Sequence, residues 1–77
     1  MVVHRLKIKP EYFIDVTDGR KTFELCKNDR DFKVGDTLIL QEYDEDYTGR
    51  STKVKVTYLL KGGIYGLAKD YVILGIK

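Results

Sequence analysis

Apolar and polar residues alternate along several stretches of this chain, and such alternation is the pattern of half-buried β-strands. In the first stretch, residues 4–9, the side chains of His4, Leu6 and Ile8 share one face. The basic residues between them occupy the other face, so a strand with one buried side is predicted here.

A short helix is predicted after this strand. Pro10 suits the first turn of a helix, where its missing N–H costs nothing, and Gly19 can end the helix with a positive φ. Between them, Tyr12, Phe13 and Val16 form an apolar stripe at helical spacing. The helix is about two turns long, so packing against the rest of the fold has to hold it.

Four further strands are predicted, at residues 21–26, 37–43, 51–60 and 71–76. In the first of them, alternation is expected to place Phe23 and Leu25 on the core face and Glu24 on the opposite face. In the strand at residues 51–60, alternation is expected to place Val54, Val56, Tyr58 and Leu60 on one face. Phe32 and Val34 are expected to pack under the loop between residues 27 and 36. The predicted core consists of Leu6, Ile8, Phe13, Phe23, Leu25, Leu38, Leu40, Val54, Val56 and Ile73.

The element order β-α-β-β-β-β predicts a mainly β, α+β domain with one or two short helices, spanning residues 1–77. One short helix cannot cover both faces of a five-stranded sheet this apolar. We therefore expect the sheet to curl into a small β-barrel, which buries one face and limits exposed edges.

Charge is unevenly spread along the chain, although the net charge is only +2. Residues 1–9 carry +3, residues 42–50 carry −3 and residues 53–77 carry +4. This separation predicts either one positive surface on the fold or lysines that merely solvate the strand faces. Residues 1–9 have no continuous apolar run of the kind a signal peptide needs, so we expect a cytoplasmic protein that binds no membrane.

Several kinds of site are incomplete. With one Cys and one His, the chain cannot form an internal disulfide or a zinc site of His and Cys ligands, and Cys26 and His4 are expected to be structural. The Asp44–Gly49 segment resembles the start of a calcium loop, but Lys55 stands where the last ligand, a Glu, is required. The glycines of residues 62–66 lack the spacing of a phosphate-binding loop. No metal and no cofactor are expected.

The most informative segment is 19–36, because it is densely charged but also carries apolar positions. Glu24 lies in mid-strand, and cations lie close to it in sequence at Arg20, Lys21, Lys27 and Arg30. A partly buried carboxylate needs a cation or hydrogen-bond donors. Two interpretations follow: a solvated strand face with a structural ion pair, or a ligand pocket with mixed donors and acceptors.

At these residues the chain resembles the ASCH (activating signal cointegrator homology) domain of the PUA-like superfamily, in particular its short bacterial and phage members. The similar segments are 19–24 (GRKTFE) and 27–36 (KNDRDFKVGD), together with 7–16 (KIKPEYFIDV) and the closing 66–77. The resemblance implies a PUA-like β-barrel with a cleft beside the helix and an association with RNA. It implies a nucleic-acid-binding site formed by Arg20, Lys21, Thr22, Glu24, Lys27, Asn28 and Arg30.

Two departures from that family pattern bear on activity. Cys26 stands where the group usually has an Arg, which removes a phosphate-pairing guanidinium. In the amidohydrolase branch, a Thr follows the matching Lys21 by three residues, and here that position is Glu24. The Thr-Lys-Glu arrangement is incomplete, so we expect an RNA-binding module rather than an enzyme. The alternatives are a small hydrolase or nuclease of nucleotide-like substrates and a phage or bacterial accessory interaction protein.

Overall fold

The computed structural model describes residues 1–77 and confirms the predicted order of elements and the mainly β fold class. The elements are β1 (Val3–Ile8), α1 (Pro10–Thr17), β2 (Phe23–Lys27), β3 (Thr37–Asp44), β4 (Asp46–Lys61) and β5 (Tyr71–Ile76).

The five strands form one mixed sheet in the order β1-β3-β4-β5-β2. β1 and β3 are parallel, and the other three pairings are antiparallel. The long β4, with 16 residues, pairs with β3 through its first part and with β5 through its last part, so the sheet curls along it. The two edge strands, β1 and β2, do not pair with each other.

The helix α1 begins at Pro10 in its first turn, as predicted, and buries Phe13 and Val16. It packs on β3, which lies next to the edge strand β1. Tyr12, which was expected on the same apolar stripe, is half-exposed on the flank of the helix. No helix here reaches the length and apolar character that crossing a membrane requires.

The core contains most of the apolar residues that the alternation predicts. Leu38 and Leu40 of β3 are fully buried, and Leu38 stands opposite Val54 of β4. Val54 and Val56 are buried on the same side of β4. Phe32 is buried under the loop after β2, as predicted, but Val34 is exposed. The buried hydrophobic cluster consists of Ile8, Phe13, Val16, Phe32, Leu38, Leu40, Val54, Val56, Val72, Leu74 and Ile76.

The predicted orientation of β2 is wrong. Phe23 and Leu25, expected in the core, are 49% and 51% exposed. The cause is the pairing of β2 with β5, in which Glu24 stands opposite Leu74 and Cys26 opposite Val72. Opposite residues point to the same face of a sheet. Because Leu74 and Val72 point into the core, Glu24 and Cys26 point inward as well. Ile73, opposite Leu25, is turned away from the core with it.

The predicted inward position of Tyr58 is also wrong, since Tyr58 is 62% exposed. The register between β4 and β5 shifts between Val56 and Tyr58, where a β-bulge inserts one residue. An inserted residue reverses the alternation of side chains beyond it. After the bulge, Leu59 packs against the core, and Tyr58 and Leu60 take outward positions.

Candidate functional site

The chain turns sharply between α1 and β2, and this turn positions the first candidate residues. Gly19 has a φ of +79°, and the backbone N–H groups of Arg20 and Lys21 both donate to the carbonyl of Asp15, at 2.9 and 3.0 Å. These bonds satisfy a carbonyl at the end of the helix. They bring Arg20 and Lys21 next to the helix face that carries Asp15.

Lys21 forms a direct ion pair with Glu24. Its ammonium donates to Glu24 Oε2 at 3.0 Å and to the carbonyl of Phe23, also at 3.0 Å. Both side chains are largely buried, with 14% and 15% of their surface exposed. Glu24 Oε1 makes no hydrogen bond within the protein. The ion pair that the sequence indicated is therefore formed, and one carboxylate oxygen remains available.

The bond from Lys21 to the Phe23 carbonyl lies at the open edge of the sheet. Bonds from Ile76 N–H to the Thr22 carbonyl and from Asn28 N–H to the Asp70 carbonyl flank the pairing of β2 with β5. In an antiparallel pair, alternate residues bond to the partner strand. The Phe23 carbonyl therefore points away from β5, and the Lys21 ammonium satisfies it.

Lys21 lines three adjoining hollows. The largest, of about 450 Å³, lies between α1 and β2 and is bounded by Tyr12, Asp15, Arg20, Lys21 and Phe23. The next, of about 380 Å³, extends it along β2 past Glu24 and Leu25. We call these two hollows together the Lys21 cleft. The third, of about 270 Å³, lies on the side of Thr22, Val16 and Ile76.

The Lys21 cleft combines aromatic rings with charges of both signs, because Asp15 and Glu24 line it together with Arg20 and Lys21. The Lys21 ammonium lies 5.0 Å from the centroid of the Phe23 ring and 5.6 Å from that of Tyr12. These distances are within the range of cation–π attraction. Arg20 is exposed and makes no ion pair or side-chain hydrogen bond. The cleft therefore offers one unpaired guanidinium, two half-exposed rings, the unpaired Asp15 carboxylate and the free Oε1 of Glu24.

The other predicted site residues lie at the far end of β2. Lys27 is exposed at the last position of the strand, and Asn28 bonds through its backbone to Asp70. The Arg30 guanidinium donates to the Arg5 carbonyl of β1 at 2.6 Å, so it bridges the two edges of the sheet. The structure thus brings Arg20, Lys21, Thr22 and Glu24 together and separates them from Lys27, Asn28 and Arg30.

Cys26 packs against the core beside this site. Burial raises the pKa of its thiol to about 11, and the negative charges of Glu24 and Asp29 act in the same direction. A thiol with this pKa is almost entirely protonated near neutral pH. Cys26 is therefore unsuited to act as a nucleophile.

Two polar clusters, each centred on a buried carboxylate, were not predicted from the sequence. Glu42, on the inner face of β3, accepts a hydrogen bond from Thr48 Oγ1 at 2.6 Å. It also accepts two hydrogen bonds from the Arg50 guanidinium, one from Nε at 2.9 Å and one from a terminal nitrogen at 2.5 Å. The Arg50 guanidinium covers the Phe13 ring at 5.1 Å. The bonds from Arg50 and then Thr48 lower the pKa of Glu42, and Glu42 raises the pKa of Arg50. The inward alternation of Leu38, Leu40 and Glu42 was the available signal.

The second cluster joins β1 to the start of β3. Asp36 Oδ2 lies 2.9 Å from His4 Nε2, and the Asp36 carboxylate also accepts the backbone N–H groups of Val2 and Lys33. The hydrogen bond with His4, followed by that from Val2, lowers the pKa of Asp36. Phe32 covers the His4 ring at a centroid distance of 4.6 Å. No buried side-chain nitrogen or oxygen atom lacks a hydrogen-bond partner, so these clusters hold elements together. No group of three or more His, Cys, Asp or Glu side chains that could hold a metal ion is formed.

Comparisons with known proteins show similarity to a protein family and to a phage protein. A family model described as "Domain of unknown function (DUF3850)" matches residues 3–76. The chain is similar to the "Uncharacterized 12.9 kDa protein in GpA 3'region" of Escherichia phage P2, with 36% identity over 73 residues. The match covers 94% of this chain and 65% of the phage protein, so the chain spans slightly less than two thirds of that relative's length.

Proposed function

This chain belongs to the DUF3850 family, and we propose that it acts as a nucleic-acid-binding module whose ligand is single-stranded RNA. The observation that carries the proposal is the Lys21 cleft. Its hollow of about 450 Å³ places the unpaired guanidinium of Arg20 beside the rings of Tyr12 and Phe23. Hollows of this volume accept ligands of roughly nucleotide size.

Each part of the cleft matches one part of a nucleotide. A guanidinium binds a phosphate through two parallel hydrogen bonds, which is the role we assign to Arg20. Unpaired bases stack on aromatic side chains, and Tyr12 and Phe23 present half-exposed rings. A duplex would hide the base faces, so the ligand is single-stranded.

Glu24 and Lys21 supply the polar contacts. The Lys21 ammonium fixes Glu24 Oε2, which orients the carboxylate and leaves Oε1 to accept a hydrogen bond. A ribose 2′-hydroxyl or the edge of a base can donate that bond, and a 2′-hydroxyl distinguishes RNA from DNA. Lys21 therefore acts by positioning Glu24.

The resemblance to ASCH domains supports the same proposal, because it implies a PUA-like fold and an association with RNA. On this proposal the protein works in the cytoplasm, where single-stranded RNA is accessible. Hydrolysis is less well supported, since the Cys26 thiol has a raised pKa and the Lys21 amine is engaged by Glu24.

Fluorescence anisotropy with short single-stranded RNA and DNA, at several salt concentrations, tests the proposal. We expect Arg20→Ala to weaken binding and to reduce the salt slope by about 0.7, the value for one phosphate contact on a single strand. Tyr12→Ala should weaken binding by about 5- to 150-fold, because one stacked base contributes about 1–3 kcal/mol. Glu24→Gln should reduce the preference for RNA over DNA and leave the salt slope unchanged.

The matched control is Lys69→Ala, which removes one exposed charge outside the cleft. It should bind like the wild type. Equal affinity and equal salt slope for wild type, Arg20→Ala and Tyr12→Ala would refute the cleft. Absence of binding in the wild type would refute nucleic-acid binding and leave an accessory interaction role.

A further inference from the structure

The side of the sheet that points away from the core, which we call the outer face, carries several cationic side chains. Its only carboxylates are at the hairpin tip, residues 44–46. The chain has 12 acidic residues, but those in the strands proper, Glu24 and Glu42, both point inward. Strand pairing shows which side chains lie on the outer face, because residues that stand opposite each other on paired strands point to the same side of the sheet. Its cations are Arg5, Lys7, Lys27, Lys53, Lys55 and Lys77.

Three of these lysines are immediate neighbours. Lys55 and Lys77 exchange backbone hydrogen bonds of 3.0 and 3.1 Å across β4 and the end of β5. Together with Lys53 they line a hollow of about 160 Å³, and none of the three makes an ion pair. Like charges on neighbouring strands destabilise a sheet. A bound anion would relieve that repulsion.

Next to the lysines lies a row of aromatic side chains. Tyr58 and Phe23 stand on either side of Gly75, each in register with it. The bulge before Tyr58 turns that ring outward, and Gly75 leaves bare backbone between the two rings. A Cβ at Gly75 would lie only 3.0 Å from Thr57 Oγ1 and 3.2 Å from Tyr58 Cβ. Beyond this row, the outer face continues with Leu60, Ile73 and Leu25.

We propose that the outer face is a second binding surface for single-stranded nucleic acid, on which the strand continues beyond the Lys21 cleft. Lys53, Lys55 and Lys77 bind its phosphates, and bases stack on Tyr58 and Phe23. Phe23 belongs both to the cleft and to the aromatic row, so the two surfaces are continuous. This inference rests on the proposed nucleic-acid binding and extends its site.

Charge decides between nucleic acid and a second copy of the chain as the occupant of this face. Two copies placed face to face would bring the lysines of one against the lysines of the other. A polyanion neutralises the same lysines, and its bases cover the apolar rows.

The test compares an RNA of about three nucleotides, which the cleft can hold, with one of about ten nucleotides, which reaches the outer face. The double substitution Lys53→Ala/Lys55→Ala should weaken binding of the longer RNA and reduce its salt slope by about 1.4. Tyr58→Ala should weaken it by about 5- to 150-fold. Binding of the shorter RNA should not change in either variant.

Matched controls are Lys9→Ala/Lys69→Ala, with the same loss of charge, and Tyr65→Ala, whose ring is 93% exposed outside the outer face. If the lysine variant matches its control while Arg20→Ala still weakens the shorter RNA, the outer-face inference fails and the cleft proposal survives. If only the outer-face variants weaken binding, the cleft proposal fails. If neither RNA binds the wild type, both fail. A dimer in sedimentation experiments that Tyr58→Ala dissociates, with no effect on RNA binding, would also overturn the inference.

Discussion

Alanine substitutions at Leu25 and Leu74 should have very different effects on stability, because the two side chains lie on opposite faces of the β2–β5 pair. Leu74 is fully buried (0% exposed), so Leu74→Ala loses its transfer free energy and leaves a cavity. Such substitutions cost about 3–5 kcal/mol. Leu25 is 51% exposed, and full burial of a leucine contributes about 1.5–3 kcal/mol. Leu25→Ala should therefore cost about 1 kcal/mol.

This difference is large against the total stability of such a domain, which is on the order of 5–10 kcal/mol. For a chain of 77 residues, 1 kcal/mol shifts the melting temperature by about 4–8 °C. We therefore expect Leu74→Ala to melt at least about 10 °C below Leu25→Ala.

Urea unfolding followed by far-UV circular dichroism measures the free energy of unfolding of both variants. If the slope of that free energy against urea concentration equals the wild-type slope, the substitutions have not changed the unfolded state. Leu25→Lys is the informative control, because an outward side chain tolerates charge and a core side chain does not. Equal destabilisation by Leu25→Ala and Leu74→Ala, or failure of Leu25→Lys to fold, would show that β2 has the opposite face in the core.

Three further predictions concern buried groups. Buried hydrogen bonds lower the pKa values of Asp36 and Glu42 from their ordinary values of 3.8 and 4.5. The stability that these two carboxylates add is therefore fully present above those ordinary values, and it is lost as the pH falls below about 4.5. A urea midpoint that stays constant from neutral pH to about pH 2.5 would contradict this. The pKa of the Cys26 thiol is near 11 in the folded protein and about 9 when unfolded. At pH 8 the thiol should therefore react with a disulfide reagent on the order of 100-fold more slowly in the folded protein than in urea. Glu24→Gln should accelerate the reaction of the folded protein, because the Glu24 charge raises this pKa. Val56→Asp should not fold, because Val56 is buried and an unpaired carboxylate there costs several kcal/mol; a cooperative melt of this variant would show the core assignment to be wrong.

The candidate site was predictable only in part. Arg20, Lys21, Thr22 and Glu24 are close in sequence, and a turn followed by a strand keeps them together in space. Lys27, Asn28 and Arg30 were assigned to the same site, but an extended strand moves the chain by about 3.3 Å per residue. That spacing places them at the other end of β2.

The order of elements, the helix and the face of β1 follow from the sequence itself. Proline in a first helical turn and strict alternation are local signals, and they act on residues whose neighbours in sequence are also their neighbours in space. Pro10 and the alternating His4–Ile8 stretch are examples, and the structure shows both as predicted.

The face of β2 and the outer face were decided by the tertiary structure. β2 alternates as predicted, but alternation does not say which set of side chains is buried. Its pairing with β5 sets Glu24 opposite Leu74 and so turns Leu25 outward. Likewise, Arg5 and Lys53 share the outer face only because β3 pairs with both β1 and β4. Pairings between distant segments are chosen by the free energy of the whole packed sheet, and no local stretch of sequence contains that information.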